Sequence, residues 1–166
     1  MTVTAAPAVE GVSQRVYVGL VTRAIAFALD AALINAVAIL TSAVVALTFS
    51  VLTIPEELRA VAIATGGALY LLWTVGYFVT FWTTTGQTPG NRALRIGVRT
   101  TDGERLRLGR ALLRFAGLTL AALPLFAGFL LILVDDRRRG LHDLIAGTVV
   151  IEVGDAARAS RSPTPR

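Results

Sequence analysis

Residues 31–55 read AALINAVAILTSAVVALTFSVLTIP and contain no charged side chain. An α-helix rises about 1.5 Å per residue, so about 20 residues cross the hydrocarbon core of a lipid bilayer. Two further uncharged runs follow at residues 60–91 and 115–134, and each is long enough for one crossing. The pattern therefore predicts an integral membrane protein built mainly from helices.

The composition of the whole chain agrees with this prediction. Of 166 residues, 54% are hydrophobic and 16% are charged, and the mean hydropathy is +0.66, whereas soluble domains carry about 25% charged residues. The chain has no Cys and one His, His142, which excludes disulfides, iron–sulfur clusters and Cys/His zinc sites. We therefore expect no metal and no cofactor.

The composition also predicts how the chain is divided. Residues 1–14 are rich in Ala, Thr, Val and Pro and form a flexible N-terminus, and residues 154–166 form a disordered tail that is short of apolar side chains. Residues 15–153 form the membrane domain. This domain contains three apolar segments, roughly 20–50, 60–82 and 111–134. A polar loop at 83–110 lies between the second and the third.

The third apolar segment allows two interpretations. Pro124 and Gly128 lie in its middle, and a proline interrupts helical hydrogen bonding. A broken, re-entrant pair of helices would return the chain to the side from which it came, whereas one continuous helix would form a simple third span. The first interpretation is favoured because a single crossing would leave the arginines after residue 134 on the outer side.

The distribution of arginines predicts the orientation. The loop after the second segment contains six of them: Arg92, Arg95, Arg99, Arg105, Arg107 and Arg110. The loop between the first two segments has Glu56, Glu57 and only Arg59. We therefore expect a multi-pass membrane protein with a cytoplasmic N-terminus and contacts to anionic lipids on that side.

The polar loop contains a β-strand pattern. Residues 94–100 and 105–108 alternate apolar and polar side chains on either side of Asp102-Gly103, which predicts a small cytoplasmic β-hairpin. Residues 148–153 are rich in β-branched side chains, and they can pair with this hairpin only if both lie on the same side of the membrane.

Two charges lie within the first apolar helix, and charges there are functional candidates because their burial is costly. Arg23 and Asp30 share one helix face with an offset of about 10.5 Å, too far for an easy ion pair. Each therefore needs a partner from another segment. The candidates for Asp30 are Arg92, Arg95, Arg110 and Arg114, and those for Arg23 are Asp135, Asp136 and Asp143. Arg23 is alternatively an anchor at the membrane interface.

Asp30 allows a functional and a structural interpretation. It is either a carboxylate that carries a proton or cation, with Asn35 and nearby threonines as further ligands, or one half of an ion pair that fixes helix packing. Two later stretches provide secondary candidates. These are Gly86, Pro89, Gly90 and Arg92 in a tight turn with weak anion-binding character, and Asp136, Arg139 and His142 in an ion-pair cluster at the membrane surface.

Five short motifs occur in a fixed order: Arg23 with Asp30, GQTPGNR at 86–92, Asp102-Gly103, LGRALLR at 108–114 and DRRRGLHDLIAGTVV at 136–150. Together they resemble the RDD family of small membrane proteins over residues 15–153. That family is named for one Arg and two Asp, and the resemblance implies that these are Arg23, Asp30 and Asp143. For this family, transport of unidentified ligands has been suggested.

The chain departs from the family pattern at three positions. Asn91 stands where the family often has Lys, and Arg95 and Gly97 stand where Gly and a basic residue are commoner. These departures weaken an anion-binding role for the turn at residues 86–92.

The sequence leads to two functional hypotheses. The first is an inner-membrane protein that supports movement of an ion or small solute as an oligomer, because two or three helices cannot enclose a pathway alone. The alternative is a non-catalytic accessory subunit or assembly factor of a larger membrane complex. We expect no enzyme, since no nucleophile–base pair is evident, and no nucleic-acid partner, since aromatic residues do not interleave with the arginines.

Overall fold

A computed structural model describes residues 16–52, 55–123 and 127–153. The elements, in chain order, are α1 (Leu20–Val51), α2 (Glu56–Thr84), α3 (Pro89–Ala93), β1 (Ile96–Thr100), α4 (Leu108–Ala122), α5 (Ala127–Val134), α6 (Leu141–Ala146) and β2 (Thr148–Glu152). The flexible N-terminus and the disordered tail that the sequence predicts lie outside the described residues, as does Pro124.

The first two apolar segments are long helices. The mean hydropathy of their most apolar windows is 2.2 in α1 and 1.5 in α2, and both are long enough to cross a membrane. Only 6% and 0% of these windows are buried within the protein, whereas the core helix of a soluble protein is mostly buried. Glu56 and Glu57 in the first turn of α2 interact favourably with the positive end of the helix dipole.

The third apolar segment forms two short helices. α4 has 15 residues and α5 has 8, which correspond to about 22 Å and 12 Å. The two helices pack closely, since a Cβ added at Gly128 would lie 2.7 Å from the Cβ of Ala121. Among the described residues, only α1 and α2 are long and apolar enough to span a membrane.

The two strands form an antiparallel sheet. Ile96 pairs with Glu152 at one end and Thr100 with Thr148 at the other. Tyr17 forms a bridge to Ile151, and the N–H of Val18 donates to the carbonyl oxygen of Val150. The chain before α1, the strand before α4 and the strand after α6 therefore meet at one end of the molecule.

This pairing corrects the predicted hairpin. The turn at Asp102-Gly103 forms, with Gly103 at φ 92° and its N–H donating to Thr100, but residues 105–108 do not form a strand. Since α4 begins at Leu108, the last residue of the predicted second strand is helical, and only three residues separate Glu104 from α4. The antiparallel partner of β1 is instead the run at 148–152, the pairing that the sequence allowed.

The core lies at the sheet end of the two long helices. The buried residues of α1 are Ala26, Asp30 and Ile34, all in its first half, and those of α2 all lie between Tyr77 and Trp82. The other halves of α1 and α2 border a groove of about 1210 Å³, here called the outer groove. It is lined by Thr41, Ser42, Gly66, Gly67, Tyr70 and Trp73, among others.

Candidate functional site

The buried carboxylate of Asp30 is bound by three neutral donors. Its side chain is on α1, and the residue is 2% exposed. The Tyr77 hydroxyl donates to Oδ1 at 2.7 Å, the Gly90 N–H donates to the same atom at 2.7 Å, and the Thr88 hydroxyl donates to Oδ2 at 2.5 Å. Asp30 therefore joins α1 to the last third of α2 and to the turn that begins α3.

The turn at residues 86–92 has the geometry that this contact requires. Gly86 has φ 73°, a left-handed conformation that glycine adopts without strain. Thr88 caps α3 by accepting from the N–H of Asn91, and Pro89 occupies the first helical position, where a missing N–H has no cost. A Cβ at Gly90 would clash with the Ala26 carbonyl and lie 2.9 Å from Cγ of Asp30.

The arginine partners that the sequence suggested for Asp30 are wrong. Among the described residues Asp30 forms no ion pair, and Arg114 instead binds Asp143. Arg92 and Arg95 are exposed on the short segment after Gly90, because α3 presents its backbone N–H to Asp30 and directs its later residues outward. The backbone N–H of Gly90, in the turn to which the sequence assigned weak anion-binding character, thus donates to the carboxylate of Asp30.

A second buried carboxylate, Asp143, forms an ion-pair cluster. Arg23 contacts its Oδ2 at 2.5 Å, and Arg114 contacts its Oδ1. The Thr148 hydroxyl donates to Oδ1 at 3.1 Å, and the Gly140 N–H donates to Oδ2 at 3.0 Å. The prediction that Arg23 pairs with one of three downstream acids is confirmed, and that acid is Asp143.

Arg23 is held at each of its three nitrogen atoms. Its Nη1 contacts Asp143, its Nε donates to the carbonyl of Val18 at 3.0 Å, and its Nη2 donates to the carbonyl of Arg138 at 2.6 Å. Arg114 also donates to the Thr148 hydroxyl at 2.5 Å, and its guanidinium lies 5.0 Å from the ring centre of Trp82. This cluster therefore connects α1, α4, α6 and the start of β2.

Charges and burial determine the protonation states in this cluster. Burial raises the pKa of Asp143, but the charges of Arg114 and Arg23 outweigh it and hold this pKa below its ordinary range. Burial also lowers the pKa of His142 to about 3, and the charge of Arg114 acts in the same direction. With His142 neutral, Arg23, Arg114 and Asp143 together carry a net charge of +1 at pH 7.

A comparison with known protein families identifies the family of this chain. The sequence pattern that defines the RDD family matches residues 17–147, a range that contains Arg23, Asp30 and Asp143. The chain belongs to the RDD family. This is a family of membrane proteins. No curated protein and no solved structure matches the chain.

Arg23, Asp30 and Asp143, the residues that the resemblance to the RDD family implies, occupy two separate sites in this chain. Arg23 and Asp143 are partners, whereas Asp30 binds Tyr77, Thr88 and Gly90. Both sites border one cavity of about 450 Å³, here called the inner cavity. It is lined by Arg23, Phe27, Asp30, Trp82, Arg114 and His142, among others.

The remaining candidates of this RDD protein lie apart from these sites. Asn35 accepts a hydrogen bond from the Tyr70 hydroxyl at 3.2 Å, one turn further along α1 than Asp30. Arg139 forms a surface ion pair with Asp135 at 2.8 Å, and its hydrogen bonds lower the pKa of Asp135 to about 2. Asp136 is exposed. Among the described residues, no group of three or more acidic or His side chains could hold a metal ion.

The sequence patterns did not single out Tyr77, Thr88 and Thr148, and they indicated Arg114 only as a partner for Asp30. Thr88 and Thr148 lie within the quoted motifs GQTPGNR and LIAGTVV, and Arg114 ends LGRALLR, so the motifs contained a signal for them. Tyr77 lies in a run of aromatic and apolar residues and has no distinguishing signal. Its role follows only from the tertiary structure, in which its hydroxyl reaches Asp30 of α1.

Proposed function

We propose that this RDD protein lies in a bacterial inner membrane with α1 and α2 as its two crossings and the sheet end in the cytoplasm. The arginine-rich loop between α2 and α4 belongs to the sheet end, and Glu56, Glu57 and Arg59 belong to the opposite end. This distribution follows the preference of arginine for the cytoplasmic side. The helices α4 and α5 then form a re-entrant pair, because the strands that flank them pair with each other.

The function that we propose is the movement of a cation, such as a proton, or of a small solute coupled to it. The observation that carries this proposal is the environment of Asp30, which is buried among neutral donors and forms no ion pair with any described residue. An ionised carboxylate removed from water without an opposite charge is costly. Binding a proton or cation removes that cost, so Asp30 is suited to take one up and release it.

The position of Asp30 between two spaces supports this function. On one side Asp30 and Thr88 border the inner cavity. On the other side the Tyr77 ring lies 6.4 Å from that of Trp73, which borders the outer groove. Tyr77 thus contacts the carboxylate through its hydroxyl and, through its ring, a side chain that borders the outer groove.

One copy of the chain cannot enclose a pathway, so the proposal includes self-assembly. The halves of α1 and α2 that border the outer groove are exposed along their length. A Cβ added at Gly66, Gly67 or Gly76 of α2 would meet nothing within 4 Å. In an oligomer, helices of other copies can occupy this space.

Flux in liposomes tests the role of Asp30. The full chain is reconstituted, and cation entry is measured for the wild type, Asp30→Asn and the control Glu57→Gln, which alters an exposed carboxylate. We expect Asp30→Asn to reduce flux at least about tenfold, equivalent to 1.4 kcal/mol, and Glu57→Gln to leave it unchanged. Wild-type flux in a folded Asp30→Asn protein would overturn the proposal.

A second variant covers the case in which Asp30→Asn does not fold. Tyr77→Phe removes one hydroxyl and keeps the ring contacts with Phe78 and Phe81. We expect it to fold and to move cations more slowly than the wild type. Unaltered flux in this folded variant would contradict a role for the Tyr77–Asp30 hydrogen bond.

The exposed halves of α1 and α2 also favour the alternative of an accessory subunit or assembly factor. A larger membrane complex would cover the outer groove with helices of another protein. Purification in mild detergent separates the two functions. A stoichiometric partner protein combined with no flux in liposomes would favour the accessory role, whereas flux by the purified chain alone would exclude it.

A further inference from the structure

The inner cavity combines aromatic walls with a group of unpartnered nitrogen atoms. Phe27 and Phe78 stack with ring centres 5.7 Å apart, and both line the cavity together with Trp82 and Phe129. A volume of about 450 Å³ is within the range of small-molecule sites, about 300–1,000 Å³. The cavity therefore has the size and the walls for an organic molecule with one aromatic ring.

One end of this cavity contains Arg23 and Arg114 and is here called the cationic end. Three residues at this end each have a buried nitrogen atom without a hydrogen-bond partner among the described residues. They are Nε1 of Trp82, Nε of Arg114 and Nδ1 of His142. The three residues are 3%, 4% and 3% exposed. Buried polar atoms are normally paired, and three unpaired atoms around one cavity indicate a polar ligand there.

The charges at this end favour an anion. Arg23 and Arg114 share the single carboxylate of Asp143, which leaves a net charge of +1 beside neutral His142. One carboxylate would neutralise this excess, and the planar guanidinium of Arg114 matches the planar carboxylate group. A dianion such as phosphate would instead leave a negative charge buried.

We propose that the inner cavity is a binding site for an aromatic monocarboxylate, with its carboxylate beside Arg114, Trp82 and His142 and its ring among the phenylalanines. The unpartnered nitrogen atoms are themselves covered by neighbouring side chains. Binding therefore requires the ring of Trp82 or His142 to turn, and the fluorescence of Trp82 reports such a movement.

The ligand of the inner cavity would be the substrate of the proposed function. Binding of this ligand does not depend on that function, whereas its transport rests on it. The carboxylate of Asp30, which also lines the cavity, balances the net charge of +1 on Arg23, Arg114 and Asp143, so that the four side chains together carry no net charge. A bound monocarboxylate adds one negative charge, and the cation that Asp30 takes up restores neutrality. Anion and cation would therefore cross together.

Binding is tested with a variant in which Trp82 is the only tryptophan. The sequence has two Trp, so Trp73→Phe in phosphatidylcholine nanodiscs leaves only Trp82. This protein is titrated with phenylacetate, with the neutral isostere phenylacetamide and with the cation phenethylamine. We expect a saturable change with phenylacetate and at least about tenfold weaker binding of the other two, equivalent to 1.4 kcal/mol. Equal responses to all three probes, or no response, would overturn the proposal.

Two leucine variants of α4 locate the site within the Trp73→Phe protein. Leu118 lines the inner cavity, whereas Leu120 is 51% exposed. Leu118→Phe fills part of the cavity without altering an ion pair and should weaken phenylacetate binding about tenfold, and Leu120→Phe should not change it. Equal affinities of the two variants would place the ligand elsewhere and overturn the proposal.

Binding and flux distinguish this inference from the proposed function. Cation flux that depends on Asp30, combined with no phenylacetate binding, would overturn the site and leave the proposed function standing. Phenylacetate binding that Leu118→Phe removes, combined with no flux, would support the site and overturn the proposed function.

Discussion

Arg23 and Asp143 lie 120 residues apart in the chain, and their side chains meet at 2.5 Å. The carboxylate that Arg23 binds is fully buried and also binds Arg114. One acid therefore holds the start of α1, the middle of α4 and the start of α6 together. A buried carboxylate between two guanidiniums is a point where a single substitution leaves charges unpaired.

Asp143→Asn is expected to destabilise the protein strongly. The amide cannot neutralise Arg23 and Arg114, and uncompensated buried charges cost about 3–5 kcal/mol in free energy of unfolding. Asp136→Asn, which alters an exposed acid in the same segment, should change it by less than about 0.5 kcal/mol. Denaturant unfolding of the full chain in detergent measures both, and similar losses in the two variants would contradict the structural role of Asp143.

Stability should fall in mild acid because of His142. Its pKa is lowered to about 3 by burial, compared with 6.5 for a free histidine. As pH falls below 6.5, the unfolded chain binds a proton that the folded chain excludes, so the free energy of unfolding decreases by about 1.4 kcal/mol per pH unit. The lowered pKa of Asp143 acts only below its ordinary value of 3.8, where protonation removes the stability of its ion pairs.

The measurement for His142 compares unfolding of the wild type and His142→Phe between about pH 7 and 4.5. His142 is the only histidine, and its ring already lies 5.0 Å from that of Phe129, so phenylalanine suits the site. We expect the variant to have a shallower dependence on pH than the wild type. The same dependence of unfolding free energy on pH in the two proteins would contradict this prediction, because His142 would then bind protons equally well in the folded and unfolded states.

Gly90→Ala is expected to separate α3 from α1. The added methyl group would overlap the Ala26 carbonyl and the Asp30 carboxylate, and such overpacking costs about 1–3 kcal/mol. Gly67→Ala is the matched control, because a Cβ there meets nothing within 4 Å and alanine favours a helix by about 1 kcal/mol over glycine. Unfolding in detergent measures both variants, and a stable Gly90→Ala protein would contradict the close contact.

Single cysteines test the topology, because the chain has no cysteine of its own. Glu104 and Glu152 are exposed near the two ends of the sheet, and Glu57 is exposed in the first turn of α2. In intact cells an impermeant thiol reagent should label Glu57→Cys and leave Glu104→Cys and Glu152→Cys unlabelled until the membrane is opened. Opposite labelling of Glu104→Cys and Glu152→Cys would contradict a re-entrant α4–α5 pair.

The long helices were predictable because they depend on local composition. Uncharged runs of about 20 residues have few alternatives to a membrane helix, and both runs became helices within a few residues of the expected bounds. The predicted hairpin failed at Arg105–Leu108, since alternation over four residues is too short to compete with the helix that starts at Leu108. The conformation of such a short segment is decided by the residues that surround it in space.

The sequence alone determined that this chain is a membrane protein with two long helices, the family to which it belongs, and three charged residues that merit attention. Only the tertiary structure decided that Asp30 binds Tyr77, Thr88 and Gly90 while Arg23 and Arg114 share Asp143. The physical reason is range. Hydropathy and periodicity act over neighbouring residues, whereas the partner of a buried charge is chosen by the packing of segments distant in sequence.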